Sequence, residues 1–385
     1  MKDPNFYMLA KTMHGLENIL ANELKDLGAQ SVKIQKRAVS FKGDDGFMYK
    51  ANLNLRTCLR ILKPIHTFQA HNEKELYNNI LKIDWTKFID INNTFATHAT
   101  TNSEVFNHSK YASLLVKDGI ADFFRNKFDK RPNVDPSDPD ITINLHINKH
   151  TCTISLDSSG ESLHKRGYKL DTIIAPMNEV LAAGLILLSG WNKLDDFHDP
   201  MCGSGTILIE AAMIAYNIPP NIFRKKFGFE NWKDFDEDLF EKIKDVSLNK
   251  EIDFKGKITG SDNFQKAVRI SRKNIENALM LEHIKVKNED FFETEITDNT
   301  FVILNPPYGE RIELGVNEFY KKVGDSLKKN YKNCTAWLIS SDIENLKMIG
   351  LKPTSKLEVM NGNLKCSFRE FKIYEGSKKK KYQKS

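Results

Sequence analysis

Two stretches of this sequence bring together residue types that can do chemistry at short spacing. They are Asp199-Pro200-Met201-Cys202-Gly203-Ser204-Gly205-Thr206 and Asn305-Pro306-Pro307-Tyr308-Gly309-Glu310-Arg311. In the second, the two prolines fix the backbone and remove two N–H donors, which leaves carbonyls to accept hydrogen bonds. The Asn305 side-chain oxygen and the Pro306 carbonyl can then both accept from one planar NH2 group. An exocyclic base amine is a poor nucleophile, because its lone pair is delocalised into the ring. Two acceptors hold its hydrogens so that the pair points toward an electrophilic methyl. Transfer is then an in-line displacement governed by positioning and electrostatics. No strong base is needed beforehand, since the leaving group departs neutral and the aminium product is acidic. Tyr308 would stack on the base and hold it.

The first stretch is a glycine-rich turn between a strand and a helix, where Gly203 and Gly205 allow a tight turn and close approach to a ligand. It lacks the third glycine of a dinucleotide fingerprint and the Lys-Ser/Thr of a phosphate-binding loop. An acid at its start, Asp199, suits a cation better than a phosphate. S-adenosyl-L-methionine carries both a sulfonium and an ammonium and fits that loop, although a plain strand-to-helix turn has the same glycines. Asp262 follows the next strand, where a carboxylate is placed to accept both ribose hydroxyls. Asp290 ends the third, where it can accept from an adenine amino group while Phe291 packs against the ring. Three acids closing successive strands favour a nucleoside-bearing cofactor over three solvated loop ends.

The elements that must hold these loops alternate. Helix-like 177–188 precedes a strand at 196–198, the glycine loop and an apolar helix over 207–216. Further strands at 257–261, 284–286, 301–304 and 335–339 are separated by helical stretches such as 263–279. Strands alternating with helices predict a parallel sheet covered on both faces, a doubly wound α/β domain. Residues 219–253, charged and aromatic, are too long for an ordinary connection and are expected to be a helical flap or a substrate-facing element.

The first half reads differently. Strand 6–9, helix 15–27, strands 32–34 and 38–41 and helix 45–54 make a small α+β unit. A strand at 95–100, a helix over 109–128 and two alternating strands at 141–147 and 151–156 make another. The proline-rich stretch 131–140 reads as a loop.

With 385 residues, 40% hydrophobic and 28% charged, the chain has the composition of an ordinary globular protein. The start, Met1-Lys2-Asp3-Pro4, lacks the apolar core of a signal peptide. The longest apolar stretch, 180–191, is too short to span a bilayer. A cytoplasmic protein without a membrane partner is therefore expected. The cysteines at 58, 152, 202, 334 and 366 are scattered, with no CxxC, which favours buried thiols over disulfides or a metal site. The net charge of +6 is compatible with a polyanionic partner without demanding one. The last residues, 377–385, form a basic tail.

The Asn-Pro-Pro-Tyr loop after an apolar strand and the Asp199–Thr206 loop resemble the Rossmann-like amino-methyltransferases. The chain is most similar to the THUMP-domain RNA guanine-N2 methyltransferases, among them the bacterial enzymes that act on guanine of large-subunit ribosomal RNA. Asp138-Pro139-Asp140, Leu156–Gly160, His164-Lys165-Arg166-Gly167-Tyr168 and Ala175–Glu179 carry that resemblance through the linker. It implies an N-terminal ferredoxin-like α+β domain over 1–65, a THUMP RNA-binding domain over 66–160 and a Rossmann-like doubly wound methyltransferase domain over 161–376.

By the same resemblance Gly203, Ser204 and Gly205 line the methionine end of the cofactor, within a loop of Asp199, Pro200, Cys202 and Thr206. Asp262 lies on ribose and Asp290 on adenine. Asn305, Pro306, Pro307 and Tyr308 form the catalytic loop that receives the target amine. Asn178 is implied near the cofactor, and Arg166 and Arg311 near RNA. Lys130 and Arg131 are available for phosphates, as are Lys33, Lys36, Arg37, Arg125 and Lys127. No second glycine-rich motif follows, which implies a single activity; no metal is expected. The same loop admits adenine-N6 or a protein glutamine as acceptor, and THUMP domains also occur on tRNA enzymes. A non-catalytic ribosome-assembly factor is the remaining alternative, against which the intact Asn305, Asp199 and Asp262 speak.

Overall fold

A computed structural model of the chain describes residues 4–172, 177–296, 299–307 and 315–374. They divide into two compact units, each built from three separate segments. The first comprises Met1–Thr12, Leu20–Leu163 and Arg224–Val246; the second comprises Met13–Ile19, His164–Phe223 and Ser247–Ser385.

The first unit contains one mixed sheet of eight strands. The chain supplies β1 (Phe6–Lys11), α1 (Glu17–Leu27), β2 (Gln30–Gln35), β3 (Ala38–Gly43) and α2 (Asp45–Asn54). Then follow β4 (Arg60–Gln69), α3 (Glu73–Leu81), β5 (Thr94–Asn102), α4 (Ser109–Phe128), β6 (Asn133–Val134), β7 (Ile141–Asn148) and β8 (Thr151–Asp157). The strand order is β2-β3-β1-β4-β8-β7-β5-β6. Local chemistry sets the helix starts: the Asp44 carboxylate caps α2 by accepting from the Phe47 N–H at 2.7 Å.

β4 and α3 are not among the elements expected from the sequence, and β4 joins the two small α+β groups into one sheet. Its first residues pair with β1, and Leu62 to Gln69 pair with β8, with a bulge between Pro64 and His66. Residue 65 lies inside this strand. Within 131–140, Asn133 and Val134 form a short parallel pair with β5.

The second unit holds a seven-stranded sheet. Its elements are α5 (Glu179–Ser189), β9 (Asp196–Asp199), α6 (Thr206–Ala215), β10 (Ile258–Asp262), α8 (Gln265–Asn277) and β11 (Ile284–Asn288). They continue as β12 (Thr300–Leu304), α9 (Val316–Asn330), β13 (Thr335–Ser340), β14 (Ser355–Asn361) and β15 (Leu364–Lys372). The order is β11-β10-β9-β12-β13-β15-β14, with β9 to β13 parallel and β15 antiparallel to both its neighbours. Every residue of α6 is buried, Glu210 included, in a helix otherwise apolar on nearly every side. The chain order reverses between β9 and β12, and open α/β sheets bind their ligands outside the carboxyl ends at such a switch point.

The 219–253 stretch does contain a helix, α7 (Glu237–Leu248), and its residues 224–246 fold as part of the first unit. Phe227, Phe229, Phe235 and Phe240 cluster there with Tyr49 of α2, with ring centroids 4.5 to 5.9 Å apart for the closest pairs. Among the described residues no helix is long and apolar enough to cross a membrane.

Candidate active site

The glycine loop runs from the end of β9 into α6, as its spacing predicts. Asp199 is the last residue of β9 and only 1% exposed. Its carboxylate accepts from the Met201 N–H at 3.1 Å. Burial pushes its pKa up to about 8, a shift that the Met201 N–H opposes and the nearby Asp262 charge adds to. Gly203 and Gly205 adopt φ of 54° and 80°, in the left-handed region that glycine enters without penalty. At Gly205 there is also no room: a Cβ would lie 2.5 Å from the Ser271 hydroxyl oxygen on α8.

The parallel register brings the other acids to the same edge. Gly260 of β10 pairs with Asp199, and Asp262 pairs with Asn288 of β11. Asp262 closes onto the glycine loop directly, accepting from the Gly203 N–H at 2.9 Å and from the Phe264 N–H at 2.9 Å. Its pKa is also raised, by burial first, against those two N–H groups. The Cys202 N–H donates to the Ser261 carbonyl at 3.0 Å, so β10 and the loop are sewn together. Pro200, Ser204 and Thr206 are buried in this turn, and the Ser204 and Thr206 hydroxyls lie 3.3 Å apart. Burial, with the Asp199 and Asp262 charges, lifts the Cys202 thiol well above its usual range. It is a packing residue rather than a nucleophile.

Asp290 lies two residues beyond β11, half-buried, accepting from the Phe292 N–H at 2.8 Å. Phe291 does not do what the sequence suggested. It is 2% exposed and packs against Tyr331 and Phe292 in the core, so its ring is not available to a cofactor. Among the described residues Phe264 is an exposed aromatic at this edge, 58% accessible, immediately following Asp262-Asn263. Its signal in the sequence was an aromatic two residues after a strand-closing acid.

β12 is buried along its whole length and delivers Asn305, Pro306 and Pro307 to the carboxyl edge next to β9. Pro306 is buried, while Asn305 and Pro307 are partly accessible. Tyr308 and Arg311 lie outside the described residues, as do Ala175, Pro176 and the basic tail.

Asn178 caps α5, its side-chain oxygen accepting from the Val180 and Leu181 N–H groups at 2.9 and 3.3 Å. Arg166 requires a correction. Expected near RNA, it is 1% exposed, its Nε 3.4 Å from Glu210 of α6 and its Nη1 donating to Asn221 at 3.0 Å. Tyr168 donates to the same Glu210 carboxylate at 3.0 Å. A buried guanidinium committed to a carboxylate holds structure and is not offered to a phosphate. Lys130 and Arg131, in the first unit, are exposed after α4.

The residues present fit S-adenosylmethionine. The glycines at 203 and 205 let the loop turn tightly at the carboxyl edge, and ionisation of the buried Asp199 carboxyl, which burial opposes, is favoured by a cationic ligand. Among the described residues no group of three or more His, Cys, Asp or Glu could hold a metal.

Comparison with known proteins agrees with this geometry. The profile described as "RMKL-like, methyltransferase domain" matches residues 166–370. A THUMP domain matches 70–157, and an RlmL ferredoxin-like domain matches 7–62. A Synechocystis protein provisionally named an RNA methyltransferase is 36% identical over 369 residues, covering 95% of this chain and 96% of that one. A Marinomonas protein named ribosomal RNA large subunit methyltransferase K/L is 33% identical over 375 residues, covering 94% of this chain and 52% of its own length. This chain thus spans about half of that relative. The crystal structure of SMU.472, provisionally named a methyltransferase and complexed with SAH, superposes with a TM-score of 0.86 at 28% identity, covering 97% of this chain and all of that one. The chain belongs to the RMKL-like methyltransferases, with a THUMP and a ferredoxin-like region before the catalytic domain, and S-adenosylmethionine is its cofactor.

Proposed function

We propose that this protein methylates the exocyclic N2 of guanine in RNA, with large-subunit ribosomal RNA as the substrate. The observation that carries the reading is the Asn305-Pro306-Pro307 segment at the end of buried β12, the strand beside β9 and its glycine loop. Bound S-adenosylmethionine supplies the electrophilic methyl group. Asn305 and the Pro306 carbonyl accept from the two amine hydrogens and aim the nitrogen lone pair. Asp199 and Asp262 hold the cofactor end of the site, and the proline-fixed turn keeps the acceptors in place without reorganisation. The THUMP region supports an RNA substrate rather than DNA or protein, and exposed Lys130 and Arg131 in that unit suit phosphate contacts. The Marinomonas relative's name supports ribosomal RNA of the large subunit over tRNA.

The test is transfer of tritiated methyl from S-adenosylmethionine to total RNA from a strain lacking this gene, followed by nucleoside analysis. Label in N2-methylguanosine of the large ribosomal RNA is expected. Label in N6-methyladenosine would replace the acceptor, and label in tRNA would replace the substrate. Asn305→Ala should lower turnover by at least about a hundredfold, the scale of losing one preorganised hydrogen-bonding group. Its affinity for S-adenosylhomocysteine should stay within about twofold of wild type. Retained turnover in that variant removes Asn305 from the reaction.

A further inference from the structure

Ser271, Asn274 and Asn277 recur at every third position of α8 and so share one face of that helix. Asparagine is a poor residue for a helix interior, because its side chain competes for backbone partners. Asn274 is nevertheless fully buried, and its amide is committed in two directions. Its Nδ2 donates to the Ser204 carbonyl of the glycine loop at 3.0 Å and to the Asp171 carbonyl at 3.0 Å. Its Oδ1 accepts from the Leu170 N–H at 3.0 Å and from the Asp171 N–H at 3.4 Å.

The neighbours on α8 hold the same incoming segment. Asn277 donates to the Tyr168 carbonyl at 2.8 Å and to the Gly167 carbonyl at 3.2 Å, and Lys273 meets the Asp171 carboxylate at 2.7 Å. Neither of these two side chains hydrogen-bonds the glycine loop. Asn274 does, and at an informative place. The Ser204 carbonyl and the Gly205 N–H belong to one peptide group. The N–H donates to the Cys202 carbonyl at 2.8 Å, so with Asn274 on the other end both polar atoms of that peptide are held.

We propose that Asn274 is a positioning residue for the cofactor: it fixes the plane of the Ser204–Gly205 peptide against segment 167–171, so that the loop is ordered before the cofactor arrives. A loop already in its bound conformation spares the ligand the cost of ordering it. The inference concerns the cofactor alone and stands whichever base accepts the methyl group.

The experiment compares full-length Asn274→Ala and Asn277→Ala by calorimetric titration with S-adenosylhomocysteine, well below either melting temperature. Asn274→Ala should raise the Kd about tenfold, or about 1.4 kcal/mol, within the net worth of a hydrogen bond. Asn277→Ala should stay within about twofold of wild type, whatever it does to the melting temperature. An unchanged Kd in Asn274→Ala overturns the proposal. So does an equal loss in both variants, since that reports a loosened segment rather than a positioned peptide. Should Asn274→Ala not fold, hydrogen exchange on the wild-type protein decides. S-adenosylhomocysteine should slow exchange at both the Gly205 and Leu170 amides, and protection at Gly205 with none at Leu170 overturns it.

Discussion

Asp199 is almost completely buried in the loop proposed to hold the cationic cofactor, and that combination has a pH signature. Its folded pKa is about 8, against about 3.8 when exposed, with burial the main cause. Because the folded value is the higher one, the stability contributed by the protonated carboxyl is present below about pH 3.8 and is lost as pH rises toward 8. A cationic ligand favours the ionised form, so binding below pH 8 must expel a proton. The affinity for S-adenosylmethionine should therefore tighten with rising pH between 6 and 8, by up to about tenfold per unit, and level off above. Asp199→Asn should flatten that dependence. Calorimetry in buffers of different ionisation enthalpy counts the protons released, and none released at pH 6.5 would detach Asp199 from the cofactor. At this scale the sequence was informative where chemistry is local. The Asp199 to Thr206 turn and the strand-closing acids could be read from neighbours alone. Arg166 could not, because its partner Glu210 lies a helix away in sequence, and Phe291 could not, because its packing against Tyr331 is equally distant.

Elements constrain each other through the close approach of α8 to the glycine loop. Gly205→Ala would pay twice, once for φ of 80° and once for the 2.5 Å approach to the Ser271 hydroxyl. The backbone part alone is about 1–2 kcal/mol. Adding Ser271→Ala removes the hydroxyl but leaves the φ penalty, so urea denaturation of the double variant should recover only the steric share. Full recovery would mean that conformation at residue 205 is not limiting. The same reasoning explains which elements could be read from sequence. The predicted bounds of α2 and α4, 45–54 and 109–128, match those observed; α2 starts at the Asp44 cap, and α4 ends at Asp129, where the backbone turns left-handed. β4 hides its period behind Pro64 and the bulge that follows, whereas α3 carries a legible signal, Leu76 and Ile80 at i, i+4 after the Asn72 cap, that is easy to pass over because the helix is only nine residues long. The β14–β15 hairpin does alternate, with Val359, Cys366 and Phe368 buried, but it follows a run of parallel strands where alternation is not the expected pattern.

For the whole molecule, sequence order and structural membership part company. Residues 224–246 lie between α6 and β10 in the chain, inside the stretch matched by the methyltransferase profile, yet they complete the core of the first unit. Their attachment is specific. The Arg224 guanidinium donates to the carbonyls of Ser159, Glu161 and Ser162 at 2.9 to 3.2 Å. Gly228 packs where a Cβ would sit 2.6 Å from the Asp157 carbonyl. The Phe229 N–H donates to the Ser158 carbonyl at 2.9 Å, and its fully buried ring lies 4.5 Å from that of Tyr49. Truncating such a ring leaves a cavity among Phe227, Phe235, Phe240 and Tyr49. Phe229→Ala should cost about 3–5 kcal/mol. The damage should appear far away in sequence: hydrogen exchange should accelerate across α2, residues 45–54, while amides 199–206 keep their protection. Acceleration confined to the glycine loop would instead assign this segment to the catalytic domain that its sequence position suggests.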